Sequence, residues 1–276
     1  YRVTPKDIQR TLPYNHDIMV KAGRRNALSR IEQSLKSQSE YDNKRDYFTY
    51  DTTQLSAYIK FGNVSIREVF HCFKAAYGIE HGVIRELIWR EFFAHVLNGY
   101  PEVLGQAYTT RYRKIKWRRS QSDFERWCNG KTGIPIVDAG MRQMNKTGYM
   151  HNRARMMCAT FLVKTLLLDW RLGERYYAQK LTDYDVASNN GNWQAISGTG
   201  VDMKPYFRTM SPWVQSRKYD PTCEYIKQWV PELNDVPNSD IHTWYDTWKN
   251  HKGVYIKPIA DVNERNAEML KMYKSV

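Results

Sequence analysis

Apolar residues recur along this chain at spacings of three and four, as in amphipathic helices, and no segment shows the strict alternation of a strand. The segment Met150–Leu168 is apolar on nearly every side, which predicts a helix in the middle of a bundle. Capping and helix-breaking residues delimit further predicted helices, over residues 27–35, 65–77, 81–98 and 135–147. One more apolar helix follows the N-cap hydroxyls that Thr52, Thr53 and Ser56 offer, and Gly62 ends it. The pattern predicts an all-α fold in which residues 1–276 form a single domain.

Charged side chains accompany the apolar segment. Arg153 and Arg155 lie within it, and Asp183 and Asp185 follow at the predicted start of a later helix. Because an unpaired charge is costly to bury, these side chains must pair with one another or hold a polar ligand. The two Asp also suit a helix start, where Asp caps free N–H groups and complements the helix dipole. Spacing alone leaves both interpretations open.

Glu86, Trp89 and Arg90 share one face of the predicted helix 81–98. A carboxylate, an indole and a guanidinium on one face can bind a planar ligand with anionic groups. The alternative is an i,i+4 salt bridge between Glu86 and Arg90 beside a core Trp, and spacing alone favours it. The segment 111–119 (RYRKIKWRR) interleaves basic and aromatic residues, which is typical of a phosphate-binding surface and equally of a basic loop.

Composition narrows the class of protein. The net charge is +13, with 42 Lys and Arg against 29 Asp and Glu, which favours nucleic acid as partner, although a basic surface kept for solubility has the same signature. The four Cys are scattered and show no disulfide spacing, and neither they nor the seven His show metal-ligand spacing. We therefore expect no bound metal and a reducing compartment, cytoplasmic or nuclear. Lys164 interrupts the longest apolar run, and no membrane span is predicted. Walker, dinucleotide, zinc-protease and serine-hydrolase motifs are absent.

Several motifs resemble, in the same order, the FAD-binding helical domain of the DNA photolyase/cryptochrome family. They are EYDNKRD (40–46), TTQLS (52–56), ELIWREF (86–92), GKTGIPIVDAGMRQMNKTGYMHNRARM (130–156), DWRLGERYY (169–177), DYDVASNNGNWQ (183–194), PYFR (205–208) and YDPTCEYIKQWVPEL (219–233). The resemblance covers nearly the whole chain and is greatest to the class I enzymes that repair cyclobutane pyrimidine dimers. It implies FAD as cofactor, dimer-containing DNA as partner, and a monomer.

The resemblance implies a FAD site. Hydroxyls and N–H groups at a helix start would bind the FAD phosphates and ribitol, which suits the general affinity of helix starts for anions. The two Asp would face the adenine ribose and the isoalloxazine edge, Arg155 would pair with the first of them and lie over the flavin, and Asn189 would sit beside flavin N5. The implied cofactor residues are Tyr41, Thr52, Thr53, Leu55, Ser56, Arg155, Asp183, Asp185 and Asn189.

The resemblance also implies a substrate pocket, in which a flipped dimer meets the adenine of FAD; photolyases are known base-flipping enzymes. Glu86 would hydrogen-bond the thymine carbonyls, Trp89 would stack on the dimer, and Asn152 and Met156 would line the cavity. Backbone contacts that give register rather than sequence would come from basic residues near the lesion. The implied substrate and DNA residues are Arg45, Glu86, Trp89, Arg90, Asn152, Arg153, Met156 and Arg208, with Glu86 and Asn152 assigned to catalysis.

Three Trp match the family's electron relay, which photoreduces the flavin from the surface inward. They are Trp193, Trp170 and Trp117, and each alone would be interpreted as a core indole. The resemblance therefore implies electron donation by light-excited reduced FAD, splitting of the dimer and return of the electron.

The chain departs from the family pattern at three places. Ala195 stands where class I enzymes usually have a second pocket Trp, and Val83 replaces a frequent aromatic or amide residue. The family also has an N-terminal α/β antenna domain that this sequence lacks, so we expect a truncated form or a separate antenna polypeptide. The leading hypothesis is light-driven repair of pyrimidine dimers. The alternatives are a cryptochrome-like or degenerate flavoprotein without efficient repair, and a basic helical DNA-binding module without flavin.

Overall fold

The computed structural model describes residues 15–201 and 209–276, and these residues form helices and connecting turns without any strand. The prediction of an all-α fold is confirmed. The α-helices are α1 (Arg24–Ser37), α2 (Tyr41–Lys44), α3 (Ser56–Lys60), α4 (Ile66–Tyr77), α5 (Gly82–Gly99), α6 (Gln121–Cys128), α7 (Pro135–Thr147), α8 (Asn152–Thr160), α9 (Trp170–Lys180), α10 (Val186–Ser197), α11 (Pro212–Tyr219), α12 (Glu224–Trp229), α13 (Asn238–His242), α14 (Trp244–Thr247) and α15 (Val262–Lys274). Single 3-10 turns lie at Pro101–Leu104, Thr110–Lys114, Pro231–Leu233 and Trp248–His251.

The predicted apolar helix is the centre of the largest core. It consists of α8 and a π-helical turn at Phe161–Thr165, and we call this run the central helix (residues 152–165). Every residue from Met157 to Thr165 is buried, as expected of a helix that is apolar on nearly all sides. The helix begins two residues later than predicted because the His151 side chain caps it, accepting a hydrogen bond from the Arg153 N–H.

Helix α7 packs between the central helix and α12. Pro135 occupies its first turn and Gly148 ends it in the left-handed conformation (φ 66°), as the sequence predicts. Gly140 allows the close approach of α7 to α8, since a Cβ at this position would lie 2.9 Å from Cys158 Sγ. This packing holds the start of the central helix, with its charged residues, against the core.

A second apolar cluster joins α1, α3, α4 and α5. Its buried members are Ala27, Ile31, Leu55, Tyr58, Val64, Val69, Phe73, Val83 and Ile84. Ser65 caps α4 by accepting a hydrogen bond from the Arg67 N–H at 3.2 Å, as predicted. Helix α5 also packs against α10, where the Phe93 ring fills the space beside Gly191. The second cluster is thereby attached to the helices that surround the central one.

The segment 51–55 is not helical, which corrects the predicted role of its Thr hydroxyls as N-caps. The helix begins at Ser56, and neither Thr hydroxyl caps it. Gln54 has φ 51°, a left-handed conformation that a continuous right-handed helix does not contain. Arg30 on α1 holds the carbonyl groups of Thr52 and Thr53 and so keeps them out of helical hydrogen bonds.

A third, smaller cluster lies where α15 covers the end of the central helix. It contains Ala107, Tyr112, Ile115, Leu167, Met269 and Tyr273. Leu167 has φ 59°, which turns the chain away just after the central helix ends. In the described ranges of the chain, none of the helices combines the length and the apolar character that crossing a membrane requires.

Candidate active site

A buried ion pair connects the central helix to the start of α10. Arg155 Nη2 lies 2.9 Å from Asp183 Oδ2, and the Ser56 hydroxyl donates to the same oxygen at 2.7 Å. Burial opposes ionisation of Asp183, but the charge and hydrogen bonds of Arg155 and Ser56 prevail and hold its pKa below the ordinary value. Three predicted cofactor residues from distant parts of the sequence therefore meet at one point.

The other carboxylate oxygen of Asp183 is unpaired within residues 15–201 and 209–276. Its Oδ1 atom is fully buried and makes no hydrogen bond to the described residues. Burying an ionised oxygen of this kind costs free energy unless a hydrogen-bond donor pairs with it. The hydroxyl groups of a ribose are suitable donors, so this oxygen fits the predicted contact with FAD.

The segment 51–55 is held from one side. Arg30 donates from Nε to the Thr53 carbonyl at 2.8 Å and from Nη2 to the Thr52 carbonyl at 2.5 Å, while Gln38 donates to the Asp51 carbonyl at 2.9 Å. In a trans peptide the C=O and N–H groups point in opposite directions. The N–H groups of Thr53 and Gln54 therefore point away from Arg30, as an anion-binding segment requires.

The Thr52 hydroxyl contacts Tyr149, which precedes the central helix by three residues. Thr52 Oγ1 lies 3.2 Å from the Tyr149 hydroxyl, and the Arg155 guanidinium lies 5.8 Å from the centre of the Tyr149 ring. Leu55 is buried in the second apolar cluster and contributes only backbone at the site. Sequence reasoning missed Arg30 and Tyr149, because neither lies in a pattern that predicts contact with the segment 51–55.

Asp185 both caps a helix and forms an ion pair, so the two interpretations that the sequence left open for this residue are both correct. Oδ1 accepts the Ser188 N–H at 3.0 Å, and Oδ2 lies 3.3 Å from Arg90 Nη2 and 4.0 Å from Lys60 Nζ. The favoured i,i+4 salt bridge between Glu86 and Arg90 is wrong, since Arg90 turns toward Asp185. Arg90, predicted to contact substrate, thus lies beside a predicted cofactor residue.

Asn189 follows Asp185 by one turn of α10. Its side-chain amide donates to Glu174, at 3.1 Å to the backbone carbonyl and 3.2 Å to Oε1. Burial raises the pKa of Glu174. The amide nitrogen of Asn189 is occupied, so the amide orientation is fixed from α9. Glu174 was missed, although it lies in the motif DWRLGERYY.

Two adjacent residues, Arg45 and Asp46, join the predicted substrate residues. Arg45 Nη1 pairs with Glu86 on α5, and Asp46 pairs with Arg153 on the central helix. The Arg45 guanidinium also lies 5.6 Å from the ring centre of Tyr41, whose pKa is raised mainly by burial. One short connection after α2 thus brings together residues from two distant helices.

The rest of the predicted substrate face lies on the same two helices. Trp89 on α5 is 39% exposed and packs against Phe93, with ring centres 5.9 Å apart. Asn152 is exposed at the start of the central helix, and its amide lies 3.9 Å from Met156 Sδ. The Arg153 guanidinium stacks 4.6 Å from the ring centre of Tyr219.

The two substitutions relative to the family pattern lie at different depths, and one predicted DNA-binding residue is not described. Val83 is 5% exposed within the second apolar cluster, so its departure from the family affects packing and not the substrate face. Ala195 is half-buried on α10. Arg208 lies outside the described residues.

The three relay Trp differ in burial. Trp193 and Trp170 are each 2% exposed, whereas Trp117 is partly exposed and packs its edge against Tyr273 at 6.2 Å. All three pack in or against the largest core. Tyr177, which sequence reasoning missed, lies 4.9 Å from Trp193 between ring centres. Trp117 is the most exposed of the three, which agrees with its predicted place at the surface end of the relay, and the relay stays a prediction.

Comparison with known proteins identifies the class to which this fold and site belong. The family model described as the FAD binding domain of DNA photolyase matches residues 83–275. The chain belongs to this family, and the predicted cofactor, FAD, is confirmed. The orphaned oxygen of Asp183 and the cationic groups of Arg155 and Arg90 fit such a cofactor.

Individual relatives support the assignment to this family. The deoxyribodipyrimidine photo-lyase of Halobacterium salinarum is 40% identical over 248 residues, which are 85% of this chain and 52% of the relative. That of Escherichia coli is 40% identical over 264 residues, 90% of this chain and 55% of the relative. The crystal structure of an archaeal photolyase from Sulfolobus tokodaii with two FAD molecules superposes with a TM-score of 0.88 at 42% identity, over 98% of this chain and 60% of that one. The chain spans about half the length of the curated relatives it matches.

Proposed function

We propose that this chain is the FAD-dependent catalytic part of a deoxyribodipyrimidine photolyase, which splits cyclobutane pyrimidine dimers in DNA under blue light. The proposal rests mainly on two Arg side chains of one turn of the central helix, which pair with carboxylates on opposite sides of that helix. Arg155 pairs with Asp183 on the cofactor side, and Arg153, two residues earlier, pairs with Asp46 on the substrate side. Residues two apart on a helix point in nearly opposite directions, so this helix stands between the two sites.

The substrate groups have complementary hydrogen-bonding chemistry. A Glu86 carboxylate paired with Arg45 accepts hydrogen bonds, so it suits the N–H groups of a pyrimidine, whereas the Asn152 amide can donate to the carbonyl groups. This modifies the role that the resemblance implies for Glu86. Trp89 offers a half-exposed ring for stacking, which stabilises a flipped base by about 1–3 kcal/mol.

The basic residues of this face would bind the DNA backbone. Arg45 pairs with Glu86 through Nη1 and also donates to the Tyr41 side chain, and the guanidinium is partly exposed, so its remaining N–H groups can donate to a phosphate. Arg153 has a buried Nε without a partner among the described residues, beside its ion pair with Asp46. Phosphate contacts of this kind set the register of the DNA without reading sequence.

Bound FAD supplies the light-driven one-electron chemistry of the reaction. The chain's own residues hold and surround it: Arg155 and Asp183 fix one another at its edge, and the N–H groups of Thr53 and Gln54 are oriented for its phosphates. Asn189, fixed by Glu174, is the proposed neighbour of flavin N5. The proposed route for electrons from the surface is Trp117, Trp170 and Trp193.

A second candidate function rests on Ala195. A Trp at this half-buried position of α10 would add a stacking surface, and its absence favours a flavoprotein that binds dimers weakly and repairs them inefficiently. Dimer-containing DNA is the proposed macromolecular partner in the first case. A separate antenna polypeptide and a monomeric state stay predictions.

Equilibrium binding separates the two candidates. We expect the FAD-loaded chain to bind a duplex with one thymine dimer more tightly than the same duplex without it, and Ala195→Trp to increase this preference about tenfold. Trp89→Ala should remove most of the preference, with Trp248→Ala as control. Equal affinity for the two duplexes in both the original chain and Ala195→Trp would contradict the repair function and favour the second candidate.

A further inference from the structure

Trp117 lies at the opposite end of the central helix from the substrate face. The backbone N–H of Arg118 donates to the Leu167 carbonyl at 2.9 Å, and its guanidinium donates to the Leu166 carbonyl at 3.3 Å. Asn152 begins the central helix, and the helix rises about 1.5 Å per residue, so these contacts lie roughly 20 Å away from Asn152 along the helix axis. DNA held at Arg45 and Arg153 would therefore lie at the other end of the helix.

The chain around Trp117 is strongly basic. Six of the nine residues in the segment 111–119 are Lys or Arg, and no acidic residue occurs between Glu102 and Asp123. Electrostatic attraction from such a cluster raises the local concentration of anions.

Arg111 lies over the Tyr112 ring, 4.6 Å from its centre, and donates to the Tyr112 hydroxyl at 3.0 Å; the other five cations of this segment divide into two groups. Arg118 is neutralised by Asp123 at 2.6 Å, and Arg113 donates to the Ala107 carbonyl at 2.9 Å. In contrast, Lys114, Lys116 and Arg119 are exposed and form no ion pair within the described ranges of the chain. We call these three residues, together with the partly exposed Trp117, the donor face.

Trp117 connects the donor face to the interior. Its ring packs against both the largest core and the third cluster, and it meets Tyr273 edge-on at 6.2 Å. An indole that is partly exposed and otherwise held in an apolar core is accessible to small solutes while remaining fixed.

We propose that the donor face binds small anionic one-electron donors, such as ascorbate, and delivers them to Trp117. The inference rests on the proposed relay. After Trp117 has lost one electron to the interior, the bound anion transfers one electron to its indole, is itself oxidised by one electron and releases its proton to water. The indole returns to its starting state, and the charge of Lys114, Lys116 and Arg119 increases the encounter rate without entering the reaction.

The first test needs no flavin. Fluorescence quenching of the flavin-free chain by iodide, an anion, and by acrylamide, which is neutral, is measured for the original chain and for Trp117→Phe; the difference isolates Trp117. We expect the iodide quenching constant of Trp117 to fall at least about threefold between ionic strengths of about 0.02 M and 0.5 M, with acrylamide quenching unchanged. The triple variant Lys114→Gln, Lys116→Gln, Arg119→Gln should lose this salt dependence.

A matched triple variant controls for net charge. Arg25→Gln, Lys36→Gln, Lys252→Gln removes the same three charges from exposed positions elsewhere and should keep the salt dependence. An equal loss in both triple variants, or iodide quenching that is insensitive to salt, would overturn the proposal. Protection of Trp117 from iodide by undamaged duplex DNA would also overturn it and make the face a nucleic-acid surface.

The second test uses the FAD-loaded chain and separates this proposal from the relay itself. Under blue light, ascorbate should reduce the flavin faster than neutral dithiothreitol at low salt, and only the ascorbate rate should fall in the donor-face variant. If Trp117→Phe leaves both rates unchanged, the relay is wrong. If Trp117→Phe abolishes both rates but the donor-face variant changes neither, the relay holds and the donor face is wrong.

Discussion

Arg155 and Asp183 form a buried ion pair between the central helix and the start of α10, with Arg155 Nη2 2.9 Å from Asp183 Oδ2. The side chain of Asp183 is 6% exposed, and its second oxygen is left without a partner among the described residues. The pair therefore stabilises the helices and presents one unsatisfied acceptor. Because loss of either partner leaves a buried charge, both stability and flavin binding should depend on it.

Asp183→Asn tests this pair. The change leaves the partly buried Arg155 without a counter-charge, and we expect the free energy of unfolding to fall by about 2 kcal/mol. The affinity for FAD should fall about a hundredfold or more, because the amide oxygen stays with the donors Arg155 and Ser56 and an NH2 group replaces the acceptor for the cofactor. Denaturant unfolding and flavin-fluorescence titration measure the two effects. Asp246→Asn, at an exposed position, should alter neither, and FAD affinity that matches this control would contradict the assignment.

Arg30 should influence FAD binding without touching the cofactor. It holds the carbonyl groups of Thr52 and Thr53, so Arg30→Gln should release the segment 51–55 and weaken FAD binding about tenfold. Arg25→Gln on the exposed face of the same helix is the matched control. If the FAD dissociation constant of Arg30→Gln equals that of the control, the segment does not depend on Arg30 for its conformation.

Sequence patterns predicted the contacts between neighbouring residues but not those between residues far apart in the chain. The Ser65 and Asp185 caps depend on neighbouring residues, so the sequence was sufficient for them. The segment 51–55 depends on Arg30, and the pairing of Glu86 depends on Arg45, both of which come from elsewhere in the chain. Such contacts depend on how the helices pack together, and the spacing of residues within one helix does not predict that packing.

The resemblance to the family predicted the cofactor and the Arg155–Asp183 pair. The single-domain boundary, the relay, the monomeric state and the cellular location stay predictions.

His151 gives the fold a defined sensitivity to acid. Its Nδ1 accepts the Arg153 N–H at 3.2 Å, so the cap needs a neutral ring. Burial is the main cause that lowers the pKa of His151 to about 4 from 6.5, with Asp46 opposing and the nearby Arg side chains assisting. The unfolded chain thus takes up a proton before the folded one.

The stability contribution of neutral His151 is complete above about pH 6.5 and is lost as the pH falls toward 4. We expect the loss to total about 3 kcal/mol, or about 1.4 kcal/mol per pH unit. His151→Asn keeps a cap without a titrating ring, so its unfolding free energy should vary less over this range. Identical pH profiles for the two proteins between pH 7 and 4 would contradict the role of His151.

Trp193→Phe tests the inner end of the relay. Phe keeps an aromatic ring beside Tyr177, although it lacks the outer indole atoms that lie against Gly173, and it is far harder to oxidise than Trp. We expect photoreduction of oxidised flavin to fall at least about a hundredfold, while FAD affinity changes little. Trp248→Phe, which is partly buried at the edge of the core, should photoreduce normally. Normal photoreduction in Trp193→Phe would remove this residue from the relay.

Dimer repair by the FAD-loaded chain tests the proposed photolyase activity itself. A thymine-dimer oligonucleotide is incubated with chemically reduced enzyme under blue light and in the dark, and recovered thymine is quantified. We predict light-dependent repair that is weak in the original chain, stronger in Ala195→Trp and reduced at least about tenfold in Glu86→Ala. If neither the original chain nor Ala195→Trp restores thymine while the flavin is fully reduced, the chain is not a photolyase.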